Sequence, residues 1–218
     1  MTKTQQTALA AGALALGGAL LARGLRETRL LTFKGRVAVI TGGSRGLGLL
    51  LARQLAEEGA TVVLAARDQA ELARAQDDLA SGGGQAHVMV CDVGVRDQAE
   101  ALIRETLGRH GRIDLLVNNA GVMKVGPIEH MTHADFTEAM DVHFWGPLHT
   151  ILAVLPAMRR QGGGRIVNIS SIGGRIGVPH LVPYCASKFA LSGLSDSLRA
   201  ELAREHILVT TVCPGMMR

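Results

Sequence analysis

A tyrosine and a lysine stand four residues apart in the stretch Tyr184-Cys185-Ala186-Ser187-Lys188. On a helix that spacing puts both side chains on one face. A free phenol titrates near ~10, too high for a general base at neutral pH. A neighbouring ammonium favours the phenolate and brings proton exchange within reach. Thirteen residues before Tyr184, Ser171 closes the strand-like run 165–171 and offers a hydroxyl to a substrate oxygen; Ser170 is the alternative donor. Near the other end of the chain, a strand-like run leads straight into Thr41-Gly42-Gly43-Ser44-Arg45-Gly46-Leu47-Gly48. A dinucleotide's pyrophosphate needs backbone N–H groups and the positive end of a helix. Gly42 allows a tight turn, Gly46 a close backbone approach, and Gly48 a helix packed against the sheet. A phosphate-cradling turn, a hydroxyl at a strand end and a Tyr/Lys pair point together to hydride transfer at a carbinol or carbonyl carbon.

The choice of cofactor turns on the end of the second strand, about 20 residues beyond the glycines. An acid there accepts from a ribose 2′-hydroxyl and repels a 2′-phosphate. This chain has Ala66-Arg67, with Asp68 one step further, and Arg45 inside the glycine turn. Two guanidiniums suit a dianionic phosphate, which favours NADP(H) over NAD(H). Asp92, after the third strand, reads either as a partner for the adenine amine or as a turn cap.

The elements that must position these groups alternate. Short Val/Ile/Leu runs at 36–41, 61–66, 86–91, 115–118, 165–170 and 207–212 predict buried strands. Helical spacing predicts helices over 47–58 (with Leu50, Leu51 and Leu55 on one side), 69–80, 96–109, 132–160 and 183–205. Trp145-Gly146-Pro147 is expected to bend the fourth of these, because proline cannot donate the helical bond. Repeated β-α units of this length imply an α/β fold, a doubly wound parallel sheet with helices on both faces.

The 218 residues allow one domain with a substantial core, and only 3% aromatics makes that core aliphatic. Three cysteines, Cys91, Cys185 and Cys213, cannot all pair with one another, which argues for reduced thiols in a cytosol-like compartment. The net charge of +4 is concentrated in residues 1–36, where six Lys/Arg face the single acid Glu27. The rest is close to neutral, which excludes a basic nucleic-acid-binding face on the folded domain. Residues 1–34 read as a separate Ala/Gly-rich apolar segment with a basic linker, and 35–218 as the catalytic domain. The apolar run 8–22, followed by Arg23, Arg26 and Arg29, reads either as a membrane anchor that leaves the domain in the cytoplasm or as an amphiphilic tail.

Taken in order, Thr41–Gly48, Asp92-Val93, Asn118-Asn119-Ala120-Gly121, Ser171, Tyr184–Lys188 and Pro214-Gly215 resemble the short-chain dehydrogenase/reductase family from about Gly35 onward. The resemblance implies a Rossmann-type sheet of order 3-2-1-4-5-6, Tyr184 as acid/base and Ser171 as donor to the substrate oxygen. It further implies Lys188 as Tyr partner and ribose ligand, Asn119 along the cofactor ribose, and a homo-oligomer. Two departures from the family pattern stand out. His143, in Val142-His143-Phe144-Trp145-Gly146, occupies the place of an asparagine that helps hold a relay water, so a histidine that titrates near neutrality is one reading and a packed one the other. The sequence also stops at Arg218, short of the family's last strand and substrate lid. The remaining histidines lack metal-ligand spacing and are expected at the surface, with no metal. The expected function is an NAD(P)-dependent oxidoreductase, NADPH-preferring, acting on a small hydrophobic alcohol or carbonyl compound. A catalytically weak or truncated NADP-binding module, held at a membrane or by a partner, is the alternative.

Overall fold

The computed structural model describes residues 32–215. The expectations placed on 8–22 lie outside them. Six parallel strands form one sheet in the order β3-β2-β1-β4-β5-β6. They are β1 (Val37–Thr41), β2 (Thr61–Ala66), β3 (Gln85–Val90), β4 (Leu115–Asn118), β5 (Gly164–Ile169) and β6 (Ile207–Val212). The helices are α1 (Gly46–Glu57), α2 (Gln69–Ser81), α3 (Arg96–His110), α4 (His133–Met140), α5 (Gly146–Arg160) and α6 (Val182–Leu202).

The strands are apolar on both sides because both sides are covered. On one face Ala38, Ile40, Val62, Leu64 and Val117 pack against Ala52 and Leu55 of α1 and Leu72, Ala75 and Leu79 of α2. On the other face Val39, Val63, Leu116 and Ile166 pack against Leu102 and Ile103 of α3 and Ile151, Val154 and Met158 of α5. As the composition requires, the largest fully buried side chains are all aliphatic or Met. One helix face differs from expectation. In α1 the buried stripe is Gly48, Ala52 and Leu55. Leu50 is 57% exposed. The glycine at 48 brings the helix so close to the turn before it that the stripe begins there.

The expected single helix over 132–160 is instead α4, a π-helical turn at Asp141–Trp145, and α5. Pro147 has no N–H for the α-helical ladder. The wide turn just before it carries the interruption, closing with the Gly146 N–H on the Asp141 carbonyl. Gly146 is required here, since a Cβ would lie 2.9 Å from Val93 Cγ2.

At the end of the sheet away from the glycine turn, Asp114 gathers the starts of β1 and β4. Its carboxylate accepts from Arg36 (2.8 Å), from Arg112 (2.6 and 2.8 Å) and from the Val37 N–H (3.0 Å). Burial pulls the Asp114 carboxyl upward, but the bonds from Arg112, Val37 and Arg36 outweigh it and hold it below the usual range. A depressed carboxyl stabilises the fold fully above the unfolded value of about 3.9, and the effect fades as pH falls through the folded value. Asp114→Asn should therefore cost about 2 kcal/mol near neutral pH. In urea unfolding, the gap from the parent should narrow steadily below about pH 4. A gap that does not change with pH would show that shape, not charge, is what the site supplies.

Candidate active site

Parallel strands all end on the same side, and a cleft opens where the sheet's crossovers change direction, between β1 and β4. Its cavity is about 660 Å³ and is lined by Gly42, Ser44, Arg45, Ala65, Ala66, Arg67, Asp68, Glu71, Cys91, Asp92, Val93, Asn119, Ala120, Gly121, Val122 and Val142. Nine predicted cofactor-side residues are thus brought to one cleft. Thr41, Gly46, Leu47, Gly48, Tyr184, Lys188, Pro214 and Gly215 are not among its lining residues.

The glycine turn is shaped by contacts the sequence did not disclose. Gly42 has φ +64°, and a Cβ on it would come within 2.8 Å of Ala120 Cα. A Cβ on Gly48 would come within 2.3 Å of the Gly42 carbonyl oxygen. Over Gly46, by contrast, the Cβ position has nothing within 4 Å, so that side of the turn is open. The Thr41 hydroxyl oxygen accepts from the N–H groups of Asn119 (3.0 Å) and Ala120 (3.2 Å). The Asn119 amide donates to the carbonyls of Thr41 and Gly42, both at 3.0 Å. Asn119 was expected along the cofactor ribose. It does line the cleft, but its amide hydrogens are committed to the turn.

At the far end of the cleft Arg67 is exposed and has no hydrogen-bond or ion-pair partner among the described residues. Arg45 is held by Glu71 at 3.1 Å. Ser44 also donates to Glu71, at 3.0 Å. Glu71 was missed because an acid in the first turn of a helix reads as an ordinary dipole partner. Asp92 makes the cap it offered: one carboxylate oxygen accepts from the Gly94 N–H at 3.0 Å. Val93 packs under Gly146, and Leu47 sits at the edge of the core on the α1/α2 face.

The Tyr/Lys pair lies on the buried side of α6. Lys188 is 4% exposed. Its ammonium donates to the Ile169 carbonyl at 2.8 Å and lies 5.8 Å from the centre of the Tyr184 ring. Burial lowers the Lys188 ammonium to about 8. The Tyr184 hydroxyl has no hydrogen-bond partner among the described residues. Ser171 begins a 3₁₀ turn, Ile172–Gly174, that lies on the tyrosine: a Cβ on Gly173 would be 3.2 Å from Tyr184 Cε1. The Ser171 oxygen accepts from the Gly173 N–H at 3.1 Å, which leaves its own hydrogen to give. Ser170 is in a different position. It is buried and bonded to the Lys188 carbonyl and to Ser192, so its hydroxyl is used within the protein. Pro214 holds the same turn from the other side, its carbonyl accepting from the Ile172 N–H at 2.9 Å, and Gly215 follows it at the surface.

Of the two readings of His143, a group titrating near neutrality and a packed histidine, the geometry matches the packed one. It is fully buried in the π-helical turn. Its Nε2 accepts from the Val122 N–H at 3.1 Å, so Nδ1 carries the proton. Nδ1 therefore donates to Ser187 Oγ at 2.7 Å, and Ser187 donates to the Tyr184 carbonyl at 2.9 Å. Burial, then the Lys188 charge, lowers the imidazole to about 3. Both ring nitrogens are occupied by the protein, and neither is left for a relay water. Its ring meets Tyr184 edge-on at 5.4 Å. Among the other histidines, His110 and His149 are half-buried rather than superficial, against rings of His87 and Trp145. Among the described residues, no group of three His, Cys, Asp or Glu is placed to hold a metal, and no helix is long and apolar enough to cross a membrane.

Fold and site define a dinucleotide-binding α/β domain, its cleft at the carboxyl ends of parallel strands. Residues 36–218 match the short chain dehydrogenase family model, and the chain belongs to that family. An uncharacterized oxidoreductase of Mycobacterium tuberculosis is 37% identical over 190 residues, covering 85% of this chain and 56% of that protein. The chain thus spans little more than half the length of that relative. A metagenomic short-chain oxidoreductase, solved in complex with NADP, is 39% identical with a TM-score of 0.81 over 85% of each chain. NAD⁺-bound xylitol dehydrogenase is 32% identical with a TM-score of 0.83, over 86% of this chain and 73% of that one. The residues present fit a nicotinamide dinucleotide: an open glycine turn, a guanidinium without a partner among the described residues, and a buried ammonium with hydrogens to spare.

The His143 geometry makes a prediction that needs no substrate. An NMR titration of the ring nitrogens from about pH 8 to 5 should find His143 unmoved, as a neutral Nδ1–H imidazole. His143→Asn should lower unfolding stability by about 1–3 kcal/mol, because the Val122 and Ser187 bonds lose their partner. A ring that titrates in that window would restore it as a proton-exchanging group.

Proposed function

We propose that this chain is an oxidoreductase that interconverts an alcohol and a ketone or aldehyde, with NADP(H) preferred over NAD(H) and Tyr184 as the acid/base. The observation that carries the reading is the Tyr184 hydroxyl, without a hydrogen-bond partner among the described residues, on the same helix face as the buried Lys188 ammonium. The nicotinamide, when bound, supplies or accepts the hydride. In the reducing direction Tyr184 gives its proton to the carbonyl oxygen, while the Ser171 hydroxyl hydrogen-bonds the same oxygen. Lys188 stabilises the phenolate left behind and, with its remaining hydrogens, binds the ribose. In the oxidising direction the phenolate takes the alcohol's proton. His143 moves no proton; it holds the tyrosine's helix to the loop after β4. Gly42, Gly46 and the start of α1 receive the pyrophosphate. Arg67, with Arg45, faces the 2′-phosphate. What supports that preference is the exposed Arg67 guanidinium on the cleft and the lack of an acid at Ala66. Ile172, exposed next to Ser171, favours an apolar substrate. Self-association is proposed from the family alone.

Tyr184 is the only tyrosine in these 218 residues, so within this region no second phenol can replace it. Tyr184→Phe should lower turnover with a carbonyl panel by about 10²–10⁴ and leave NADPH affinity nearly unchanged. Lys188→Ala should lower both. Near-parental turnover by the Phe variant would overturn the mechanism. For the cofactor, calorimetry should find NADPH bound more tightly than NADH, and Arg67→Ala should erode the difference by roughly tenfold. Equal affinities in the parent would remove the preference and leave the chemistry standing.

A further inference from the structure

The cleft carries a carboxylate that the hydride chemistry does not use. Glu71 is the third residue of α2, and its N–H is fixed by the cap Asp68 at 2.8 Å. From there its side chain crosses to the glycine turn. One oxygen accepts from Ser44 Oγ at 3.0 Å and the other from Arg45 at 3.1 Å. A hydroxyl and a guanidinium around two anionic oxygens form a donor set that suits a phosphate equally well. The Glu71 side chain is 23% exposed and that of Arg45 80% exposed, so the acid is the fixed member of the pair and the arginine the movable one. Arg67, on the same cleft, has no such partner.

We propose that Glu71 stands in for the cofactor's 2′-phosphate and sets the discrimination between NADP(H) and NAD(H). The inference rests on the nicotinamide-cofactor reading above and adds the residue that opposes the arginines. A 2′-phosphate must take Arg45 from Glu71 and then remain beside that carboxylate, a like-charge cost specific to the phosphorylated cofactor. A 2′-hydroxyl displaces nothing and finds an acceptor. The preference for NADP(H) is therefore the attraction of Arg45 and Arg67 less the opposition of Glu71. The acid holds the ratio below what two arginines alone would give.

The test is the dissociation constant of NADPH and of NADH, by calorimetry, for the parent, Glu71→Gln and Glu71→Lys. The amide keeps an acceptor for Ser44, and circular dichroism checks that each variant is folded. Glu71→Gln should tighten NADPH about fivefold, the worth of one exposed ion pair, with NADH changed by less than about twofold. Glu71→Lys should raise the ratio further. In an Arg45→Ala background, which leaves α2 untouched, the effect of Glu71→Gln should shrink. A ratio that stays level or falls in both Glu71 variants overturns the proposal, and so does an effect undiminished without Arg45. If the parent favours NADH but Glu71→Gln moves the ratio toward NADPH, the role of Glu71 stands and only the stated preference fails. If neither cofactor binds parent or variants, both readings fall.

Discussion

A chain that leaves β1 and must enter α1 within four residues breaks off its strand pairing while still carrying carbonyls that need donors. Asn119 meets that need, giving both amide hydrogens to Thr41 and Gly42, while the Thr41 hydroxyl receives the N–H groups of Asn119 and Ala120. This reciprocal tie joins the ends of two neighbouring strands at the place where the sheet's winding reverses. The glycines follow from it. With the turn drawn against residues 119 and 120, no side chain fits at Gly42 or Gly48. The shape of the nucleotide cleft is thus fixed by four hydrogen bonds before any ligand arrives.

The two faces of the sheet are built differently. The face under α1 and α2 is aliphatic throughout. The other face carries a buried polar chain from α5 to α6. Thr150 donates to Asn118 at 2.8 Å, Asn118 to its β5 neighbour Asn168 at 2.9 Å, and Asn168 to Ser195 at 2.8 Å. Every member has its partner, so the chain is specific rather than costly. It locks α6 in register against β5 about two turns from where Lys188 bonds Ile169. The aliphatic face supplies bulk stability, and the polar face supplies the alignment on which a phenol–ammonium pair depends.

Strands were legible because a strand buried on both faces is written locally, as a run of Val, Ile and Leu. β2, β4 and β6 fall where the runs fall, and the sheet order followed from the family resemblance. The placement of Ser171, Tyr184 and Lys188 was legible for the same reason: their spacing is a property of one turn and one helix. What was hidden depends on partners far apart in sequence. The role of Glu71 is visible only once α2 lies beside the glycine turn. The tautomer of His143 is fixed by Val122 and Ser187, more than 20 residues to either side. Asn119 looks the same in sequence whether its amide serves a ribose or a carbonyl. Proline 147 announced an interruption but not its form, because a kink and a wide turn satisfy the same missing donor.

That wide turn, Asp141–Trp145, gives the chain a tolerance its neighbours lack. A π-helical turn holds one residue more than the α-helix it interrupts. Removing a residue elsewhere in α4 or α5 would rotate everything beyond it by about 100°, carrying Ile151, Val154 and Met158 off the sheet. Removing one here would take out the extra residue of the wide turn and keep both ends in phase, with Pro147 still marking the break in the ladder. The segment works as a slack link in an otherwise rigid gear train, the one stretch of these helices where chain length and helix phase are uncoupled.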